Sequence, residues 1–89
     1  MIVTGKICTS RKVVPDDATT LTIPDEIRFI VIKNTGSADI RINFENDGSD
    51  NYWTLQTGEQ TPVLNVRPGL VITTDGVDGS STMEAILWG

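Results

Sequence analysis

Residues that interrupt regular structure lie so close together in this chain that only short elements fit between them. No stretch longer than nine residues is free of Gly, Pro, Asn and Asp. An average helix needs about 11 residues, so such a helix hardly fits between two of these breakers. Ile, Val and Thr supply 30 of the 89 residues. Their β-branched side chains favour a pleated sheet over a helix, so the sequence predicts an all-β protein.

The order of apolar and polar residues predicts short antiparallel strands joined by tight turns. In residues 38–45, Ile40 and Ile42 alternate with polar residues, which predicts a strand with one buried face. About eight such strands are expected, with turn signals every eight to twelve residues or so. This pattern is typical of β-sandwiches, jelly rolls and small barrels. We expect one small β-sandwich or jelly-roll-like domain over residues 1–89.

The same pattern gives the limits of several strands. Residues 2–8 and residues 12–14 are expected to form two separate strands. A later strand is expected over residues 70–74, and the Gly/Asp-rich segment 75–79 that follows is expected to be a loop. The last strand is expected over residues 82–88, where one alternating set, Met83, Ala85 and Leu87, lies opposite the other, Glu84, Ile86 and Trp88.

Charge and hydropathy argue against two classes of partner. The net charge is −5, the isoelectric point is near 4.4, and no basic cluster is present. Nucleic-acid binding needs concentrated Lys and Arg, so nucleic acid is not expected as a partner. The longest apolar run has four residues, 29–32. A membrane-spanning helix needs about 20, so no membrane partner is expected either.

The residue types needed for most catalytic and metal centres are missing. The chain has no His, which excludes Ser-His-Asp and Cys-His catalytic groups and the common zinc motifs within one chain. It has one cysteine, Cys8, and therefore no intrachain disulfide. Cys8 is expected to be an inert core thiol, since nothing near it in sequence would activate it. The sequence therefore predicts a protein that is not an enzyme and holds no cofactor.

Two groups of residues suggest an alternative function as a ligand-binding module. Residues 45–51 and 75–79 are rich in Asp, Asn and Gly, which suits calcium but equally suits ordinary turns. The turn interpretation is favoured. Tyr52, Trp53 and Trp88 are the second group, and exposed aromatic residues could bind a carbohydrate or a protein. Trp53 is expected to fill the core, with Tyr52 at its edge.

The most apolar strand predicts an oligomer. Residues 27–33 are apolar on both faces, whereas only one face of a strand meets the core of a two-sheet domain. The second face is assigned to Ile30 and Ile32 and must be covered by a loop or by another subunit. We expect a homo-oligomer, with a trimer favoured. Its interface is predicted to include Ile30, Ile32, Tyr52 and Trp88.

Four segments together resemble a known group of viral proteins. Residues 29–42 comprise a strand, an Asn-x-Gly turn and a strand of alternating Ile, and the segments 53–59, 64–69 and 83–89 follow in order. This arrangement, over residues 27–89, resembles small all-β virion proteins of tailed bacteriophages, especially capsid decoration (cement) proteins. It is also similar to β-sandwich modules of phage tail and fibre proteins, which is a second alternative.

The resemblance implies a structural, non-enzymatic role. Such a protein binds the outer surface of the phage capsid, has the major capsid protein as its partner, and stabilises the shell, often as a trimer. It would be made in the host cytoplasm and located in the virion. Decoration proteins commonly hold the capsid with an N-terminal segment, so residues 1–14 are expected to make contact. The predicted capsid contacts are Ile2, Lys6, Arg11 and Lys12.

Overall fold

A computed structural model describes residues 7–14, 17–44 and 52–89. These residues form eight strands and no helix, and so no helix that could span a membrane. The strands are β1 (Ile7–Val14), β2 (Thr19–Thr22), β3 (Phe29–Asn34), β4 (Asp39–Asn43), β5 (Trp53–Leu55), β6 (Leu64–Asn65), β7 (Val71–Val77) and β8 (Ser81–Trp88).

The strands form two antiparallel sheets packed face to face. One sheet has the order β1-β8-β3-β6 and the other has the order β2-β7-β4-β5. The chain passes from one sheet to the other at every connection except the β4–β5 connection, which joins neighbours. This is a jelly roll, an arrangement of two Greek keys. The predicted all-β sandwich is confirmed.

The core between the sheets is made by alternate residues of the long strands. Ile30 and Ile32 of β3 belong to the same core cluster as Ile40 and Ile42 of β4, and each is at most 1% exposed. Burial alternates along β4 and β7, and along most of β8, as expected for strands with one face in the core. The predicted alternation is therefore confirmed for β4 and for Met83, Ala85 and Leu87 of β8.

Two predicted strand limits are wrong. β1 is one continuous strand, because all eight of its residues pair with β8, from Ile7 opposite Trp88 to Val14 opposite Ser81. β7 continues past residue 74 to Val77, because it stays paired with β4. In both cases a neighbouring strand extends the pairing through residues with weak strand preference of their own.

A buried asparagine at the end of β3 joins both sheets. The Asn34 amide donates hydrogen bonds to the carbonyl oxygens of Ala38 (2.8 Å) and Leu55 (3.0 Å). Its side-chain oxygen accepts from Ser81 Oγ (2.8 Å) and from the Gly36 N–H (3.1 Å). Asn34 is fully buried, and these four bonds meet its hydrogen-bonding needs. It therefore fixes the β3–β4 turn against β5 and β8.

Candidate functional site

The first sheet presents one broad surface to solvent. Cross-strand pairing places outward-pointing residues of β1, β8 and β3 in three rows, opposite the face that carries the core residues. We call this surface the outer face. Its rows are Ile7–Trp88–Phe29, Thr9–Ile86–Val31 and Arg11–Glu84–Lys33, with Val13 at the end of β1.

One end of the outer face is aromatic and largely covered. Phe29 and Trp88 stack with ring centroids 5.6 Å apart and an interplanar angle of 27°. Trp88 is 7% exposed, and its buried Nε1 has no hydrogen-bond partner among the residues that the structure describes. Such an orphan donor costs about 1–3 kcal/mol, so the pair is held by aromatic packing rather than by polar bonds.

The middle of the outer face is apolar and open. Ile86 lies at the centre of the sheet, between Thr9 and Val31, and is 43% exposed. A large aliphatic side chain so exposed on a central strand is available for contact with another molecule. Along the edge strand, Ile7 and Val13 are 55% and 64% exposed. The outer face therefore offers apolar contact area without any movement of the fold.

A row of charges borders this apolar area. Glu84 lies between Arg11 on one side and Lys33 on the other, and the three side chains are exposed. Opposite charges on neighbouring strands attract each other, so the row is internally compensated in part. The row carries one net positive charge on a chain whose net charge is −5. The outer face is thus less acidic than the molecule as a whole.

A shallow groove of about 300 Å³ runs across this part of the outer face. Ile86 and Val31 supply the apolar side chains of its lining, and charged or polar residues stand around them. An apolar centre with a polar rim is the usual anatomy of a protein-binding surface. The lining residues are Thr9, Ser10, Arg11, Val31, Lys33, Gln60, Glu84, Ala85 and Ile86.

The predicted oligomer contacts Ile30 and Ile32 are wrong. Both side chains are 0% exposed and lie in the core between the sheets. The outward apolar residues of the same strand are Phe29 and Val31, which are half-buried. The sequence of a strand that is apolar on both faces does not show which face is buried. The prediction assigned the core-facing side chains of β3 to the subunit interface.

The aromatic residues do not form one site. Tyr52 is 53% exposed and lies over Arg41 of the second sheet, with the guanidinium carbon 4.9 Å from the ring centroid. Trp88 belongs to the first sheet and is nearly covered, so little of its ring remains for an interface. The prediction that Trp53 fills the core is wrong. Trp53 is 43% exposed beside Phe44 (6.4 Å between centroids).

The predicted capsid contacts are described only in part. Ile2 and Lys6 lie outside the described residues, as does the side chain of Lys12. Arg11 is exposed on the outer face and lines the groove. Sequence reasoning missed Lys33 and Glu84, which become neighbours of Arg11 only through strand pairing. Ile86 could have been found, since the alternation of β8 places it on the same face as the charged Glu84.

The suggested calcium loops are also described only in part. Residues 45–51 lie outside the described residues. Asp75 belongs to β7, where it lies opposite Arg41, and Asp78 adopts a positive φ of 62° in the turn that follows. Asp tolerates this conformation, which fits the turn interpretation. In the described part of the chain, no group of three or more His, Cys, Asp or Glu residues could hold a metal ion.

A second depression lies away from the groove. Its volume is about 610 Å³, and it is wide and open. Arg28 and Arg67 give it positive charge, and both are exposed. Phe44 and Leu70 supply apolar lining. It shares no lining residue with the groove, so the two surfaces can be altered separately.

Comparison with known proteins identifies the fold. No family model matches the chain, and no curated protein matches it. A cupin_2 domain of an XRE family transcriptional regulator from Enterobacter cloacae has a TM-score of 0.65 at 9% identity, over 99% of this chain and 95% of that chain. Iron(II) HppE has a TM-score of 0.67 at 14% identity, over 92% and 43%. The Clostridium difficile EutQ protein has a TM-score of 0.60 at 11% identity, over 92% and 51%.

These likenesses concern the fold alone. This chain spans about half the length of the HppE and EutQ chains that it matches. The cupin_2 domain is matched over nearly its whole length, which fits a single small jelly roll. At such low identities the similarity does not bear on activity, and it does not bear on a capsid role either.

The interior of this jelly roll does not suit an iron ion such as that of iron(II) HppE. Non-haem iron(II) is typically bound by His nitrogens and a carboxylate, and this chain contains no His. The interior positions of β3 and β4 carry Ile30, Ile32, Ile40 and Ile42, which are buried and have no donor atoms. The side chain of Asn34, the remaining interior residue of β3, is already engaged in four hydrogen bonds. The residues that face the interior therefore do not fit the metal.

Proposed function

We propose that this protein is a non-enzymatic structural protein of a phage virion that binds the outer surface of the capsid as a decoration protein. The outer face is the observation that carries the proposal. It combines an exposed Ile86, an apolar groove and a charged rim on a rigid sheet, while the interior of the fold is filled with aliphatic side chains. Such a molecule interacts through its surface rather than through an enclosed pocket.

The resemblance of residues 27–89 to decoration proteins supplies the partner, which is the major capsid protein. Arg11, Lys33 and Glu84 would set the orientation of docking, and Ile86 with Val31 would supply buried apolar area. Binding to the assembled lattice and not to its free subunits stabilises the shell by mass action. Many copies acting together would make this effect large even when each contact is weak.

A charge reversal in the groove tests the docking surface. We expect Arg11→Glu to weaken binding to capsid shells by about tenfold, since it removes one of two cations on the rim and places a carboxylate beside Glu84. The measurement is cosedimentation of the purified protein with shells of the source phage prepared without it.

Arg67→Glu is the matched control, because it makes the same change in net charge in the second depression. It should bind shells as the unaltered protein does. Equal loss in both variants would assign the effect to net charge alone, and loss confined to Arg67→Glu would place docking in the other depression. Failure of the unaltered protein to sediment with shells would contradict the function itself.

A further inference from the structure

The free edge of β1 differs from the other three sheet edges. β6, β5 and β2 have two, three and four residues, and short edge strands are a common protection against pairing with other chains. β1 has eight residues. One of its edges pairs with β8 throughout, and no other strand in the described part of the chain borders the opposite edge. It therefore presents a long row of backbone groups for a further strand.

We propose that the partner of this edge is β1 of a second copy, paired antiparallel around a two-fold axis at Ser10. In this register Ile7 of each copy lies opposite Val13 of the other. These two residues are 55% and 64% exposed, and both are on the outer face. Each apolar residue that β1 leaves exposed on this face thus gains an apolar cross-strand neighbour, at both ends of the interface.

The charges of β1 select the same register. With the axis at Ser10, Arg11 lies opposite Thr9 and Lys12 lies opposite Cys8, so no cation opposes another. An axis one residue later would place Arg11 opposite itself, and an axis one residue earlier would place Ile7 opposite Arg11. Like charges directly opposite each other are destabilising, and so is the loss of the apolar pairs. The sequence of β1 is therefore complementary to itself in one register.

The resulting dimer would present two grooves to a capsid surface. Pairing around this axis joins two four-stranded sheets into one of eight strands, with both outer faces on the same side. Two grooves would then meet a lattice together, and bivalent binding raises apparent affinity without any new contact. This consequence rests on the proposed function, whereas the pairing of β1 does not. The dimer is proposed in place of the predicted trimer, whose assigned contacts Ile30 and Ile32 lie in the core.

The solution mass tests the pairing. Light scattering during size-exclusion chromatography should give about twice the 9.7 kDa chain mass for the unaltered protein. Thr9→Lys places a cation opposite Arg11 at two symmetric points and should give a monomer. Adding Arg11→Glu to that variant should restore the dimer. Val63→Lys, which alters an exposed valine outside β1, should remain dimeric. A monomeric or trimeric unaltered protein, or a dimeric Thr9→Lys, would overturn the proposal.

A cysteine cross-link tests the register independently of any loss of stability. In a Cys8→Ser background, Ser10→Cys places two thiols directly opposite each other and should give a covalent dimer on oxidation, seen on a non-reducing gel. Val13→Cys should not, because the two Val13 residues would lie roughly 20 Å apart along the strands. Equal cross-linking of both variants, or of neither, would overturn the register. This result stands whether or not capsid shells bind the protein.

Discussion

At the scale of single residues, the buried side chain of Asn34 links elements of both sheets. Its side chain binds β5, the β3–β4 turn and β8 through four hydrogen bonds in a site without solvent. Its backbone N–H also donates to the Glu59 carbonyl (3.0 Å), which holds the loop between β5 and β6 against the end of β3. A buried polar group with all its partners in place specifies one arrangement of the strands around it.

Asn34→Ala should therefore be strongly destabilising. It removes the donors to two carbonyl oxygens and leaves Ser81 Oγ without its acceptor. We expect a loss of about 3 kcal/mol in the free energy of unfolding. Urea denaturation measures this as a lower midpoint with an unchanged slope.

Asn65→Ala is a suitable control for this substitution. Asn65 is exposed in β6, and its loss should change stability by less than about 0.5 kcal/mol. Similar midpoints for the two variants would show that the hydrogen bonds of Asn34 contribute little.

At the scale of elements, a strand was predictable where its own residues determine its orientation. The alternation in β4 identified its buried side correctly, and the alternation in β8 identified the two sets of residues that lie on opposite faces. β3 has apolar residues on both sides, so its pattern could not show that Ile30 and Ile32, rather than Phe29 and Val31, face the core. The full length of β1 depends on its pairing with β8, and that of β7 depends on its pairing with β4. These partners are distant in sequence, so local strand propensity does not predict the limits of β1 and β7.

The packing of the β3–β4 turn against β8 gives an element-scale prediction. A Cβ on Gly36 would collide with Ser81 Oγ and the Thr82 backbone nitrogen. Gly36→Ala should therefore displace the start of β8 and cost about 1–3 kcal/mol. Amide chemical shifts would show the change along β8 as well as in the turn.

Gly58→Ala serves as the comparison for that variant. Gly58 has a φ of 83° and open space around its Cα, so alanine there would strain only the local backbone. Its shift changes should stay within the turn. If Gly36→Ala changed the amide chemical shifts of residues 35–38 alone, the predicted contact with β8 would be contradicted.

At the scale of the whole molecule, the two sheets have different surfaces. The first presents an apolar groove with a charged rim, and the second carries Tyr52 over Arg41 among polar strand residues. The candidate site lies on the first sheet and was only partly predictable. Arg11 was named from sequence, but the site also needs Lys33, Glu84 and Ile86, which strand pairing brings beside it.

Electron cryomicroscopy of virions of the phage proposed to carry this protein is the strongest test of the proposed capsid role. We expect density for this protein on the outside of the capsid, with the β1-β8-β3-β6 sheet turned toward the shell and Arg11, Lys33 and Ile86 at the contact. Density on the tail or fibres, absence from the particle, or attachment through the second sheet would contradict it.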